Sequence, residues 1–391
     1  MKHLLIPLVM VSSIFSSLVL GEILEVGSVP ELQAALDRAL PEDIIQLQPG
    51  KYTLDQPLVF RKSGLGSQAI TVLATDKERT VFTGDKGLVF EDISSIRLEN
   101  LVFFAITRQP VLRLNSSRGI TVTRCEFHKC GQVVNQKKVK DPRVPPMYME
   151  ACLVRLCVSA GNLMDLRGGY NRLINNSFET CGGTLRVDGD RNLIRGNYFM
   201  GNAVGGLAVQ LLGNKDKFLN QYFHQVQAPP GRKGLVEVGP VRHSIFGHTT
   251  WYNCSTPVFV IGEEGRLSAM NTFANNLVQN HEAETPPIIQ LSSDVVDLMW
   301  ANNLIYDPAG RSNLVSGAEV KILTGNPDLM EINGVCRVRA GSPAVNAGTS
   351  RTGSSMMDIE GRVRGLRPDI GAHEVGKEEP TLGRIKSVFL K

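Results

Sequence analysis

The stretch "NRLINNSFETCGGTLRVDGDRNLIRGNYF" (Asn171–Phe199) states one pattern twice. Asn171, Leu173, Asn176 and Phe178 return as Asn192, Ile194, Asn197 and Phe199, an interval of 21 residues. Outward from this pair, large apolar landmarks recur: Phe103 in "ENLVF", Phe127 in "RCEF" and Phe223 in "NQYF". They continue as Trp251 in "TTWYN", Leu277 in "ANNLV" and Leu304 in "ANNLI". Between Phe127 and Phe178 the spacing doubles, which leaves room for two turns and the insertion "VNQKKVKDPRVPPMYME". A repeat of about 20–30 residues with strand-like content marks a solenoid. The units lack a sustained apolar face of helical period, which excludes helical repeats, and the regular leucine frame of leucine-rich repeats is absent. An all-β, right-handed parallel β-helix remains, in which each coil stacks on the next and like residues form columns. The phenylalanine and aliphatic positions are then inward stacks. The asparagines belong at the bends, where their amides pair with backbone and with each other and tolerate left-handed geometry.

Composition agrees with this architecture: glycine is abundant at 38 residues and aromatics are 6%. "SVPELQAALDRAL" (Ser28–Leu40) is the exception. Ser28 and Glu31 have capping-box spacing, Pro30 sits in the first turn, and Leu32, Ala35 and Leu36 share a face. A solenoid end exposes apolar surface and open strand edges, so this helix is expected to cap the N-terminal end. The Gly-rich segment "GSPAVNAGTSRTGSSMMDIEGRVRGLRPDIGAHEV" is expected to close the other end.

The opening "MKHLLIPLVMVSSIFSSLVLGEI" reads as a signal peptide over residues 1–21: a short basic start, an apolar run and small residues before Glu22. The β-helix is expected over 22–375 and a loosely packed tail over 376–391, giving a secreted or periplasmic protein, monomeric and without a membrane anchor after cleavage. The net charge of +4 is too small for a nucleic-acid footprint. All seven cysteines follow the signal; the count is odd and no spacing resembles a zinc site, so they read as small buried hydrophobes with room for one or two disulfides. Phosphate-loop, dinucleotide and serine-nucleophile motifs are absent.

The "ELQAALDRALPEDIIQLQPGKY" opening, the "VFTGDKGLVFEDISSIRLENLVF" coils and the "DIEGRVRGLRPDIGAHE" ending together resemble secreted β-helix proteins of polysaccharide lyase family six, the chondroitinase B and alginate lyase type. The resemblance spans most of the mature chain and implies β-elimination on a uronate-containing polysaccharide such as alginate or chondroitin/dermatan sulfate. Such lyases use a lysine and an arginine as base and acid, with acidic residues holding Ca²⁺ against the uronate carboxylate. On this family's pattern Arg167 in "RGGYN" falls at the lysine position and Gly168 replaces a serine. Asp188 in "GGTLRVDGDRN" falls at the arginine position, with Arg186 two residues earlier and the histidine missing; Asp165 is the one acid upstream. A second alignment puts Leu211 and Leu212 at the arginine and histidine. The catalytic motif is therefore incomplete.

The residues point to the same region independently. Counted back from Phe178, Phe199 and Phe223, one column holds Asp165, Arg186 and Gln210 and another holds Arg167, Asp188 and Leu212. A difference of two keeps both columns on one strand face. With the roles that the family resemblance implies, Arg167, Arg186 and Asp188 are the expected catalytic residues and Asp165 the expected Ca²⁺ ligand. Gln210, with Lys138, Arg143 and Tyr148 of the basic insertion, is expected to bind substrate. The same residues also read as an ion-pair ladder that only decorates the solenoid, and two other functional readings stay open. One is a non-catalytic carbohydrate-binding β-helix. The other is a glycoside hydrolase using Asp188 with Asp165 or Asp190.

Overall fold

The computed structural model describes residues 21–137, 145–201, 205–280, 287–310, 314–317, 320–350 and 355–375. Residues 1–20 of the proposed signal peptide, the tail, Lys138 and Arg143 lie outside these residues. The chain winds as a right-handed parallel β-helix with three long sheets. Sheet one has 12 strands, from Ile23–Val26 to Met299–Ala301. Sheets two and three have 11 each, running from Gly50–Leu54 to Leu304–Tyr306 and from Leu58–Phe60 to Val315–Ser316. Each coil visits sheets one, two and three in turn.

The aromatic landmarks are the spine of the core. Tyr52, Phe82, Phe103 and Phe127 stack at centroid distances of 5.1–5.3 Å, and Phe178, Phe199 and Phe223 at 4.9 and 4.4 Å. Val154 pairs with both Phe127 and Phe178 and fills the coil between them. Beyond Trp251 the column continues through Val278 and Ile305, one residue past the expected Leu277 and Leu304. Those leucines point the other way and are buried from outside, beneath Val338, Ala344 and Ile370.

The asparagines form hydrogen-bonded ladders inside the bends. The Asn197 Oδ1 accepts from the Asn176 backbone N–H and Nδ2, both at 3.0 Å, and the Gln221 Oε1 accepts likewise from Asn197 at 3.2 and 3.1 Å. The left-handed conformation falls on the residue before each ladder position: Asn175 (φ 55°), Asn220 (φ 54°), Asn275 (φ 58°) and Asn302 (φ 51°). The ladder side chain can then turn inward while its neighbour absorbs the bend. In the earlier coils Cys125 and Cys152 occupy the same column, their thiols directed at main-chain carbonyls, and Cys130, Cys157 and Cys181 line the next bend. All seven cysteines are buried free thiols.

Helix α1 (Val29–Arg38) begins at Ser28, whose hydroxyl accepts from the Glu31 N–H; Glu31 reaches back to the Gly27 N–H rather than to Ser28. The Gln33 amide bonds both the N–H and C=O of Val59, at 3.0 and 2.9 Å, and so replaces a neighbouring strand at the open edge of sheet three. The C-terminal segment does not close the opposite end. It folds back along the outside of sheet two, where the Tyr222 hydroxyl accepts from the Cys336 N–H at 2.7 Å and the Thr250 hydroxyl from the Ala372 N–H at 2.9 Å. The outward residues Tyr198, Tyr222, Tyr252, Leu277 and Leu304 are the reason: they need cover that the solenoid alone does not supply.

Candidate functional site

The site lies on the outer face of sheet three, across the strands Val134–Gln136, Val158–Arg167, Gly182–Asp188, Leu207–Leu211 and Val236–Val238. Strand alternation sends Met164, Leu166, Leu185, Val187, Val209 and Leu211 into the core. The intervening side chains form the strip. Asn135, Asp165, Arg186, Gln210 and Glu237 are in register across five coils, and Arg167 stands opposite Asp188. The structure therefore brings together Asp165, Arg167, Arg186, Asp188 and Gln210 as the columns predict.

The charges pair along each strand. Arg167 grips Asp165 with Nε at 3.0 and 3.2 Å and Nη2 at 2.9 Å. Arg186 Nη2 meets Asp188 Oδ2 at 2.8 Å. Because Asp165 faces Arg186 and Arg167 faces Asp188 across coils, the signs alternate in both directions. Arg232, from the loop before Val236, lies over the same face: its Nη1 is 3.3 Å from Glu237 Oε2 and its Nη2 donates to Thr184 Oγ1 at 2.7 Å. The strip is neutral, with each of its arginines held by a carboxylate.

This pairing fixes what the residues can do. Hydrogen bonding to Asp165, and then its negative charge, raises the Arg167 pKa above the ordinary guanidinium value, so Arg167 is a locked cation and no proton acceptor. Asp165 is 4% exposed, and its buried carboxylate is compensated by the bidentate arginine. Both its oxygens are taken, and Asp188 is tied to Arg186. Ca²⁺ takes six or more oxygen ligands, and among the described residues no group of three or more His, Cys, Asp or Glu could hold a metal. These residues do not fit Ca²⁺.

Tyr148 does not join the strip. It lies on sheet one, opposite Thr121 and Arg172, with its hydroxyl 2.6 Å from Glu150 Oε2 and its pKa pushed up to about 12 by burial and that carboxylate. Among the histidines, His224 and His248 are buried structural groups, bonded to the Gly334 carbonyl and the Asn275 amide. Lys137 is an exposed residue at the border of the strip that the column count passed over. It follows Val134–Gln136, its N–H still bonds the Leu114 carbonyl, and the Asn135–Asp165 register extended by two places it beside Arg167. The signal was available: a lysine two residues after Asn135, in phase with the strip.

No family model and no curated protein matches this chain. Among solved structures it is similar to the PL6 family alginate lyase AlyGC, with 14% identity, 92% of this chain and 59% of that chain covered, and a TM-score of 0.47. The likeness is one of fold, and this chain spans less than two thirds of that protein's length. Pectate lyase Pel9A matches at 13% identity over 91% of this chain and 97% of that one, with a TM-score of 0.41. The catalytic unit of a GH87 alpha-1,3-glucanase from Streptomyces thermodiastaticus matches at 11% identity over 76% and 69%, with a TM-score of 0.49. A fold does not fix a reaction, which is read from the site. No helix among the described residues is long and apolar enough to cross a membrane.

Proposed function

We propose that this is a secreted or periplasmic, monomeric, polysaccharide-lyase-like β-helix that binds an acidic polysaccharide along sheet three, and that recognition rather than β-elimination is its activity. The observation that carries this reading is the alternating ladder of Arg167–Asp165, Arg186–Asp188 and Arg232–Glu237 pairs. Each carboxylate orients a planar guanidinium, so donors and acceptors are fixed before the ligand arrives, and little ordering entropy remains to oppose binding. Side-chain exposures of 45% for Arg167, 27% for Arg186 and 41% for Asp188 leave part of each group open to a sugar chain. Saccharide hydroxyls both donate and accept, and so match such a strip. The family resemblance supplies the expectation of a uronate polymer.

β-Elimination needs a base, an acid and neutralisation of the carboxylate beside the acidic C–H. Arg167 cannot serve as the base. One observation favours the lyase as a second reading: Lys137 is exposed immediately after the strip strand Val134–Gln136, where a base would be sought. A hydrolase would require one strip carboxylate to carry a proton, whereas both Asp165 oxygens accept from Arg167 Nε.

The test combines retention and turnover on alginate, pectate and chondroitin/dermatan sulfate. Retardation in acidic-polysaccharide gels with no new ultraviolet absorbance from unsaturated uronate ends is the expected result. Appearance of that absorbance, and its loss in Lys137→Ala, would replace binding by the lyase reading.

A further inference from the structure

A second charged feature opens at the flank of the strip, where the chain leaves sheet three for sheet one. It is a cleft of about 620 Å³ lined by Asp190, Asn214, Lys215, Pro240, Arg242, His243, Arg266 and Leu267. Four successive coils contribute to it. That volume lies within the roughly 300–1,000 Å³ of ligand clefts.

The cleft differs from the strip in its electrostatics. On the strip each arginine has a carboxylate, whereas the Lys215 and Arg242 side chains have no hydrogen-bonding or ionic partner among the described residues. Arg266 pairs with Glu263 at 3.1 Å, but both are about half exposed or more, and such a pair is weak. Asp190 is the one acid of the lining, and its Oδ1 already accepts from the Asn214 N–H and Nδ2 at 2.9 and 3.2 Å. The backbone turns the lining outward: Lys215 (φ 59°) and His243 (φ 57°) occupy the left-handed corner of their coils, and the Arg242 N–H is fixed by Asn214 Oδ1 at 2.9 Å. Pro240 and Leu267, the latter 47% exposed, add an apolar wall.

We infer that this cleft is an anion subsite that takes a sulfate ester or carboxylate substituent of a polysaccharide through Lys215 and Arg242, with the sugar ring against Pro240 and Leu267. The choice of polymer rests on the proposed function. Asp190 is only two residues past Asp188, within about 7.6 Å along the chain, so one polymer on the strip reaches the cleft. The strip then supplies hydroxyl recognition and the cleft supplies the net positive charge.

Affinity gels containing dextran sulfate, polygalacturonate or neutral dextran separate the possibilities, using the full chain, Lys215→Ala/Arg242→Ala and Arg186→Ala. Both cleft residues are exposed, and unchanged circular dichroism checks that the variants fold. The double variant is expected to bind the anionic polymers about tenfold or more weaker, as loss of charge-assisted bonds implies, and to bind dextran unchanged. The dextran sulfate and polygalacturonate arms tell the sulfate source from the carboxylate source. If the cleft variant binds every polymer like the parent while Arg186→Ala weakens retention, the subsite inference falls and the strip stands. If Arg186→Ala is silent while the cleft variant loses the anionic polymers, the strip reading falls and the subsite stands. Equal loss on neutral dextran would overturn anion recognition.

Discussion

Replacing Asp216 by asparagine should stabilise the protein by an amount that grows as pH rises from about 4 and is complete above about pH 7. Asp216 is fully buried in a ladder otherwise built from amides and a hydroxyl: Asn171, Asn192, Ser244 and Asn271. In the two coils before it, the Asn171 and Asn192 Nδ2 groups donate to the Gly168 and Gly189 carbonyls. A carboxylate has no such donor, and Asp216 Oδ2 is buried without a partner. Burial pushes its pKa from 3.8 up to about 7; the nearby Asp190 charge adds to this, and the Asn192 donors oppose it. Between these values the folded chain holds a proton that the unfolded chain has released, so stability falls as pH rises through the window and is flat above it. At 1.36 kcal/mol per pH unit the full effect is about 4 kcal/mol. The substituted amide would restore the donor and carry no charge. Denaturant unfolding of the parent and Asp216→Asn, followed by tryptophan fluorescence, should give curves that nearly coincide at about pH 4 and differ by about 4 kcal/mol at pH 8. His248 and His373 are buried with depressed pKa values, so they act in the opposite sense, losing stability as pH falls through 6.5. Both chains share them, and the difference cancels them. A difference independent of pH, or a variant less stable at pH 8, would refute the reasoning.

Two further outcomes follow from packing. Phe199→Ala removes the middle ring of the Phe178–Phe199–Phe223 stack and should destabilise by about 3–5 kcal/mol in denaturant unfolding; a loss below about 1 kcal/mol would show that the coils close over the gap. Tyr222→Phe removes the bond to the Cys336 N–H and leaves that donor buried. It should cost about 1–3 kcal/mol, read as faster amide exchange over Val335–Val338, with exchange in the core strands unchanged.

The fold was legible because large apolar residues and bend asparagines recur coil after coil. The Asn-x-Phe bends and the stacked rings give the period directly, and counting back from the phenylalanines places Asp165 beside Arg186 and Arg167 beside Asp188. The count slipped at Leu277 and Leu304, where the C-terminal segment buries the outward face too, so both faces are apolar and alternation no longer tells inside from outside. The course of that segment was hidden because it follows no repeat. Cys125 and Cys152 were readable in retrospect: each precedes its core residue, Phe127 or Val154, by two, as Asn176 precedes Phe178. At the site, register was accessible but rotamers were not. Sequence places arginines and aspartates on one face; only the side-chain geometry shows Arg167 closed on Asp165. Tyr148 lies off the strip because the insertion re-enters at sheet one before the chain returns to sheet three.

Titration calorimetry with an acidic oligosaccharide, on the parent, Arg186→Ala and Arg97→Ala, tests the strip most directly. Arg97 is exposed on sheet one and serves as the control for a lost surface charge. The account predicts saturable binding that Arg186→Ala weakens about tenfold and Arg97→Ala leaves unchanged. Equal weakening by both variants, or no binding to any acidic saccharide, would contradict it.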